Sequence, residues 1–576
     1  MANIQCGQLL LTVQGGMLQA QLNDMQLIPE PTPLYVLRDE DGNRFSSTDF
    51  GEETECTQLP DGILLSVTSH PDIYDVRVDF HGTEKGIVVS YTISARWPEG
   101  IPGNTSISFP WLPALTLPES AARFPSAPVS KTCGASGMQL KGFCFPPYCL
   151  ERGDGAGLAV NFPVAAANLT WDVCKNAELG KISNRKMLEN HSLQLRLSQA
   201  PAVIAEMQLW PLTAGWAECF QRFREEVRRD VDFTQYHRQD LQWIRDCTLT
   251  HFTYAFGKEF FDYDTTKADL TRLFKQGEEF GGYDTIILWH EYPRLGVDER
   301  TQWDLFEEYP GGMQYLKDLI AQAHERGVKV IIPFKPWDRS PEENDKQTTQ
   351  RIANLMRELD ADGIFFDTMN TVPAAFRAAI DAQRKGVVFM VESEPCEQRA
   401  IESITCSWNQ YHTEPSMPEA NLLRFLFPEQ TRFAIARWHT GKLKDMAIER
   451  AVFNGEGMVI WQDVFGCWLP YSETQKKKIL EWKQLLGDYR DVFQSPDTIP
   501  LIRTEQSGLY ANLFRQGDRA IITLYNDGNA PVEGTLISAQ EYTYVETLRA
   551  AEDLSIAEGR ICGKLCPGAT AVLLLH

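Results

Sequence analysis

Two short segments place carboxylates where apolar runs of strand length stop. In Asp360-Ala-Asp-Gly363-Ile-Phe-Phe-Asp367-Thr-Met-Asn370 the run delivers Asp367, and in Val387-Val-Phe-Met-Val-Glu392-Ser-Glu394-Pro a second run delivers Glu392, with Glu394 two residues on. Glycoside hydrolysis uses such a pair: one carboxylate attacks the anomeric carbon or activates water, and the other protonates the departing oxygen. Adjacent strand ends can hold the pair about 5 to 5.5 Å apart, the spacing of a retaining double displacement. Glu392 and Glu394 share strand parity, so alternation leaves both open. Depth favours Glu392, the sixth residue from Val387, as Asp367 is the fifth from Gly363.

Other chemistry gathers in the same kind of position. Trp289-His290-Glu291, Trp337-Asp338, Trp408-Asn409, Trp438-His439 and Trp461-Gln462-Asp463 each follow or end an apolar run. An indole offers a flat face to the C–H side of a sugar ring, while carboxylates, imidazoles and amides bond its hydroxyls. Any one of these indoles taken alone reads as ordinary packing; the repetition at equivalent positions points to a carbohydrate pocket. Lys335, Asp338, His412, His439 and Asp463 complete the set that could bind hydroxyls or a substrate anion. Alternatives are poorly supplied: there is no Gly-x-Ser-x-Gly nucleophile elbow, no histidine pair at ligand spacing and no phosphate-cradling glycine loop. No cofactor and no metal are therefore expected.

The elements that must carry these residues follow from texture. Residues 1–210 alternate short β-branched or aromatic runs with Gly, Pro, Asp and Asn turns, which predicts an antiparallel β-sandwich. Residues 211–239 read as a helical linker, with Trp216, Phe220, Phe223 and Val227 at helical spacing. Over 240–490, strand-length apolar runs alternate with amphipathic stretches. Strands are predicted at Leu249–Ala255, Thr285–Trp289, Lys329–Phe334, Gly363–Asp367, Val387–Glu392, Ile404–Trp408, Phe433–Trp438 and Met458–Trp461. Eight βα units in about 250 residues match one (β/α)₈ barrel, whose chemistry sits at the C-terminal strand ends; a doubly wound sheet is the structural alternative. Ser472 is an expected N-cap for a helix to Leu486, and 497–576 returns to β texture, a small C-terminal sandwich.

Composition narrows the setting. The 576 residues carry a net charge of -23, which repels phosphate backbones and anionic membranes, so neither nucleic acid nor membrane is an expected partner. The 13 cysteines are scattered and match no zinc spacing, and the N-terminus lacks the basic and apolar regions of a secretory signal. A cytoplasmic protein with reduced thiols is the expectation. A homo-oligomer stays open.

Tyr309-Pro-Gly-Gly-Met313, Leu316-Lys-Asp-Leu-Ile320 and His324-Glu-Arg-Gly-Val-Lys-Val330 together resemble the passage before strand three in the α-galactosidase clan of retaining glycoside hydrolases. Asp367-Thr-Met-Asn370 is similar to that clan's nucleophile segment. The resemblance implies an N-terminal β-supersandwich, a catalytic TIM barrel, a trailing β-domain and a nucleophile at Asp367. The sequence departs from the clan at strand six, where Ser407-Trp-Asn-Gln-Tyr-His-Thr-Glu414 holds no Asp to serve as acid/base. A glutamate after strand five instead resembles the α-amylase superfamily and the endo-α-N-acetylgalactosaminidase-like families, which implies Glu392 or Glu394 as proton donor, with Glu414 in reserve. The expectation is a retaining α-glycosidase removing a terminal sugar (an α-galactoside, N-acetyl-α-galactosaminide or α-glucoside) from an oligosaccharide or glycoside. The competing readings are a transglycosylase or lyase on the same scaffold and a barrel that binds carbohydrate without catalysis.

Overall fold

The computed structural model describes residues 1–39, 41–70, 74–96, 106–115, 121–124, 147–161, 169–172, 194–197, 202–290, 299–395, 397–410, 420–435, 443–462 and 470–576. Compactness divides the chain into two units, Met1–Arg229 and Asp230–His576. Among the described residues no helix is long and apolar enough to cross a membrane.

The first unit is built of antiparallel sheets, one of eight strands and two of five. Glu52–Leu59, Gly62–Ser69, Tyr74–Thr83 and Gly86–Ala95 follow one another as hairpins, and Ala202–Leu212 pairs with Gly86–Ala95. Along Tyr74–Thr83 every second residue is buried, because a pleated strand with one wet face turns alternate side chains into the core. The helix Gly215–Arg228 closes the unit and buries Trp216, Cys219, Phe220, Phe223 and Val227 on one stripe.

The second unit contains the barrel. Its strands are β1 (Leu249–Tyr254), β2 (Thr285–Trp289), β3 (Lys329–Phe334), β4 (Gly363–Phe366), β5 (Val388–Val391), β6 (Cys406–Gln410), β7 (Thr431–Ile435) and β8 (Gly457–Ile460). All neighbours pair in parallel, and β1 pairs with β8 to close the ring. The helices are α1 (Leu270–Glu278), α2 (Gln302–Glu307), α3 (Gly312–Glu325), α4 (Asp345–Leu359), α5 (Ala374–Gln383), α6 (Gln398–Ser403), α7 (Leu422–Leu426), α8 (Leu443–Asn454), α9 (Glu473–Asp488) and α10 (Arg490–Phe493). The expected strand six starts two residues late because Ile404 caps α6, its N–H bonded to Ala400 O, and cannot also open a strand. The expected strand seven starts two residues early, at Thr431, and residues 436–442 lie outside the described residues.

Local chemistry sets the helix starts. Ser472 caps α9 by accepting from Gln475 N while Gln475 reaches back, and Asn344 does the same for α4 with Gln347. In Tyr309-Pro-Gly-Gly, Gly311 has φ 91° and opens α3, and a Cβ there would sit 2.7 Å from the Tyr315 side chain. Tyr309 Oη donates to Ala255 O at 3.0 Å, tying the same turn to the end of β1.

At the N-terminal end of β4, Asp362 accepts from Val330 N at 2.9 Å and contacts His324 Nε2 at 2.6 Å and Lys329 Nζ at 3.1 Å. Burial alone would raise its carboxyl, but these partners outweigh it and hold the group below the usual carboxylate range. The His324, Lys329 and Asp362 positions are thus braces beneath the barrel, at the end away from Asp367.

After the barrel, a five-stranded and a three-stranded antiparallel sheet fill Asp497–Leu575. Helix α8 is their anchor. Phe453 O accepts from Asn512 Nδ2 and Thr523 Oγ1, both at 2.7 Å, and Glu449 takes a two-pronged bond from Arg549 at 2.9 Å per oxygen and Thr570 N at 2.7 Å. Breaking a buried pair from one side leaves an uncompensated charge, so Arg549→Met should lower unfolding free energy by about 3–5 kcal/mol. The double replacement of Glu449 and Arg549 by apolar residues should recover most of that loss. Denaturant titration of the three variants reads this directly, and a single variant as stable as the parent would show the clamp to be idle.

Candidate active site

The floor comes first. Alternation along β1, β2, β4, β6 and the end of β8 sends Phe252, Trp289, Phe365, Trp408 and Trp461 into the barrel interior. Phe252 lies 5.1 Å from Trp289, 5.8 Å from Trp408 and 4.7 Å from Trp461, while Phe365 sits 4.2 Å from Trp408. Trp289 and Trp408 are 1% exposed and Trp461 5%. These three indoles, expected to offer faces to a sugar, are packed into the layer beneath the mouth instead, because a closed barrel must fill its interior with side chains. Trp337, after β3, is 38% exposed, with Lys335 Nζ 5.8 Å from its ring centre.

Above that floor, β4 and β5 end side by side and bring Asp367 and Glu392 together. Asp367 N donates to Phe334 O at 3.0 Å and Glu392 N to Phe366 O at 3.2 Å, so the ladder continues one residue past each strand and aims both side chains to the same end. Thr368 N donates to Glu392 Oε2 at 2.7 Å. Thr368 adopts φ 58°, a left-handed conformation that β-branched residues avoid, and this turn points its N–H at the glutamate. Asp367 is 8% exposed. Its carboxyl is pushed up to about 7, first by burial, then by the charge of Glu392 and a hydrogen bond to it; Lys335 pulls the other way. The Asp367 carboxyl therefore holds its proton up to near neutrality.

Lys335 and Asp338 stand behind the pair, both with fully buried side chains and 3.5 Å apart. Lys335 Nζ also donates to His290 O at 3.4 Å and lies 5.5 Å over the Trp289 ring. Gln302, at the start of α2, grips this corner: it accepts from Lys335 N at 2.8 Å and donates to Lys335 O at 2.7 Å. Gln302 is a residue that the sequence reading missed. The only local sign was the capping box Thr301 to Asp304, which marks the helix and says nothing of what Gln302 reaches. His290 is 4% exposed and packs edge-on to Phe306 at 4.8 Å.

Glu394 goes elsewhere. The chain bends after Glu392, and Glu394 leaves the mouth for the wall behind β6 and β7, where Arg432 Nη1 is 3.4 Å from it. Phe433 and Ile435 face the interior, so Arg432, one residue before Phe433, faces out. Burial raises the Glu394 carboxyl to about 7 against the pull of Arg432 and Arg450, with Glu456 adding repulsion. Strand parity predicted a common direction for Glu392 and Glu394; the bend ends the pleat and with it the parity. Glu291, His412, Glu414, His439 and Asp463, with Trp438, lie outside the described residues. Among the described residues no group of three or more His, Cys, Asp or Glu could hold a metal ion.

No family model matches the sequence, and no curated protein matches it. Solved structures do. The α-N-acetylgalactosaminidase NagBb from Bifidobacterium bifidum, in its GalNAc complex, superposes with a TM-score of 0.57 at 13% identity, covering 91% of this chain and 98% of that one. Its ligand-free form gives 0.55 at 10% identity over the same shares, 91% and 98%. A β-arabinopyranosidase matches across 100% of both chains at 12% identity with a TM-score of 0.47. Likeness at these identities establishes the fold: a barrel preceded and followed by β-sheets.

The Glu394–Arg432 pair yields a pH-dependent expectation. Glu394's folded value of about 7 lies above its ordinary 4.5, so its contribution to stability is full below 4.5 and is lost as the pH rises through about 7. Arg432→Met removes the compensating charge and should cost about 3–5 kcal/mol at pH 8 but far less at pH 5.5, where Glu394 takes up a proton. Urea unfolding at the two pH values decides it; equal losses would mean the pair does not carry the effect.

Proposed function

We propose that the chain is a glycoside hydrolase acting by double displacement, with Asp367 as nucleophile and Glu392 as acid/base. The observation that carries this reading is the carboxyl pair at the C-terminal ends of adjacent barrel strands, over an aromatic floor, with Asp367 raised to about 7 by burial and by its neighbour Glu392. Retaining chemistry needs that combination, one carboxylate to attack and one carboxylic acid to protonate the leaving group. Lys335 favours the ionised form of Asp367, and the hydrogen bond between the two carboxyls is the path by which the proton passes to Glu392 as a sugar enters. Entry of the anomeric carbon parts the pair toward the roughly 5 to 5.5 Å of a retaining site.

The substrate in this reading is a terminal sugar of an oligosaccharide or glycoside. The likeness to NagBb puts N-acetyl-α-galactosaminides first on the panel, ahead of α-galactosides and α-glucosides. Trp337 supplies the exposed ring against which a sugar's C–H face can lie, and Lys335 acts from behind the pair on the charge of Asp367. Glu394 drops out as acid/base because its side chain is spent on Arg432 behind the wall.

One observation favours a second reading with the roles exchanged. Asp367 is the member whose carboxyl is raised, and Thr368 N–H stabilises charge on Glu392, so Asp367 could be the acid and Glu392 the nucleophile. Leaving-group dependence separates the two. Asp367→Asn should cut kcat/KM by several orders of magnitude on every aryl glycoside, whereas Glu392→Gln should cost about 10²–10⁴ with poor leaving groups and little with nitrophenyl ones. The reverse pattern exchanges the roles, and no hydrolysis across the panel ends the proposal.

The pH profile follows from the same pair. In this reading the proton held at Asp367 leaves as the pH rises through about 7, so kcat/KM should fall on the alkaline side from there. Glu392→Gln leaves no carboxyl to receive and donate that proton, so that alkaline limb should vanish in the variant. Because two carboxyls suffice for glycosyl transfer, activity is expected to survive exhaustive EDTA treatment.

A further inference from the structure

The end of the barrel opposite Asp367 carries an unexplained positive charge. Under the first residues of β7 and β8 lies a cavity of about 30 Å³ lined by Arg245, Arg424, Arg432, Arg490 and Gln430, among others. Among its lining residues there is no Asp or Glu. Two of the arginines are almost wholly enclosed: Arg424 is 3% exposed and Arg432 2%. Some of their nitrogens are used. Arg424 Nε donates to Gly455 O at 3.4 Å and Nη2 to Phe493 O, and Arg432 Nη1 donates to Glu394 and Ser407 at 3.4 Å. Arg424 Nη1 and Arg432 Nε and Nη2 are buried without a hydrogen-bond partner.

Nearby carboxylates do not settle the account. Glu394 is engaged by Arg432, and Glu456 accepts from Asn421 Nδ2 at 2.5 Å while acting on Arg424 and Arg450 through space. Glu429 acts on Arg245 and Arg424, and Asp246 stands 4.0 Å from Arg490 near the exposed side. Arg424 is held down to about 10 by burial and by the repulsion of Arg432 and Arg245, which outweighs what Glu456 and Glu429 return. Buried guanidinium donors left without a partner forfeit the solvation they had in the unfolded chain. Water can satisfy a donor but leaves the charge; an anion satisfies both. The volume exceeds the ~10–15 Å³ that one water requires, so a compact ion fits.

We propose that this cavity binds one compact inorganic anion, a halide or a tetrahedral oxyanion, between the guanidinium groups of Arg424 and Arg432, with Arg245 and Arg490 completing the site. Arg490, whose side chain is 24% exposed, marks the side from which the ion enters. The bound charge ties the starts of β7 and β8 to α7 and α10 and takes no part in chemistry at the far end of the barrel. The proposal is independent of the glycosidase reading.

The test uses the full chain, exchanged into sodium gluconate, and follows thermal unfolding as chloride, bromide, phosphate or sulfate replaces gluconate at constant ionic strength. A halide or oxyanion should raise Tm along a saturating curve, by about 3 °C at a hundred times its Kd, and gluconate alone should not. Arg424→Gln should abolish the saturable rise; Arg490→Gln, which alters a partly exposed side chain, should raise the Kd several-fold and serves if the first variant does not fold. Crystals grown with bromide should give an anomalous peak within about 3.5 Å of Arg424 Nη1 if the site takes halides; tetrahedral density there in phosphate or sulfate identifies an oxyanion. A linear response to every salt, an undiminished rise in both variants, or anion density only outside the cavity would each overturn the proposal.

Discussion

The packing of Phe252, Trp289, Phe365, Trp408 and Trp461 inside the closed strand ring is the contact on which the remaining structure rests. A parallel barrel has no sheet edge, and its interior cannot be left empty or filled with water without losing the apolar burial that closes it. Five large rings meeting at 4.2 to 6.0 Å meet that demand in one layer. The layer also sets a dry floor below Asp367, which is why burial is the leading cause of that carboxyl's raised value.

Backbone position then decides what each carboxylate can do. Asp367 and Glu392 emerge one residue after β4 and β5, where the parallel ladder still dictates direction. Glu394 emerges two residues later, beyond the ladder, and is captured by Arg432 from the helix side of the wall. The difference in fate between two glutamates with the same spacing and chemistry lies wholly in where hydrogen bonding of the strand stops. Lys335 is held by a different device, the two backbone bonds from Gln302, which let a buried ammonium stand near the pair without a strand's own pleat to aim it.

The C-terminal sheets belong to the same compact unit as the barrel, through Glu449 and Phe453 on α8. That helix joins β7 to β8, and its sheet-facing bonds fix one wall of the barrel from outside. Its sequence shows little amphipathic pattern because both of its sides are buried, one against the barrel and the other against the sheet.

Much of the barrel was legible in the sequence. Apolar runs of four to six residues, spaced by helical stretches, locate all eight strands to within about two residues, since parallel strands buried on both faces read as continuous runs. Asp367 and Glu392 were legible for the same reason: they are the first polar residues after such runs. The indoles at the strand ends were visible but their role was not, because a tryptophan closing a strand has the same sequence signature whether its ring caps the interior or faces a ligand. The interior direction of Trp289, Trp408 and Trp461, the departure of Glu394 and the grip of Gln302 all depend on contacts between residues 33 to 209 positions apart. Periodicity is a local property and determines which residues share a face; closure of the ring decides what that face meets, and only the tertiary structure holds that information.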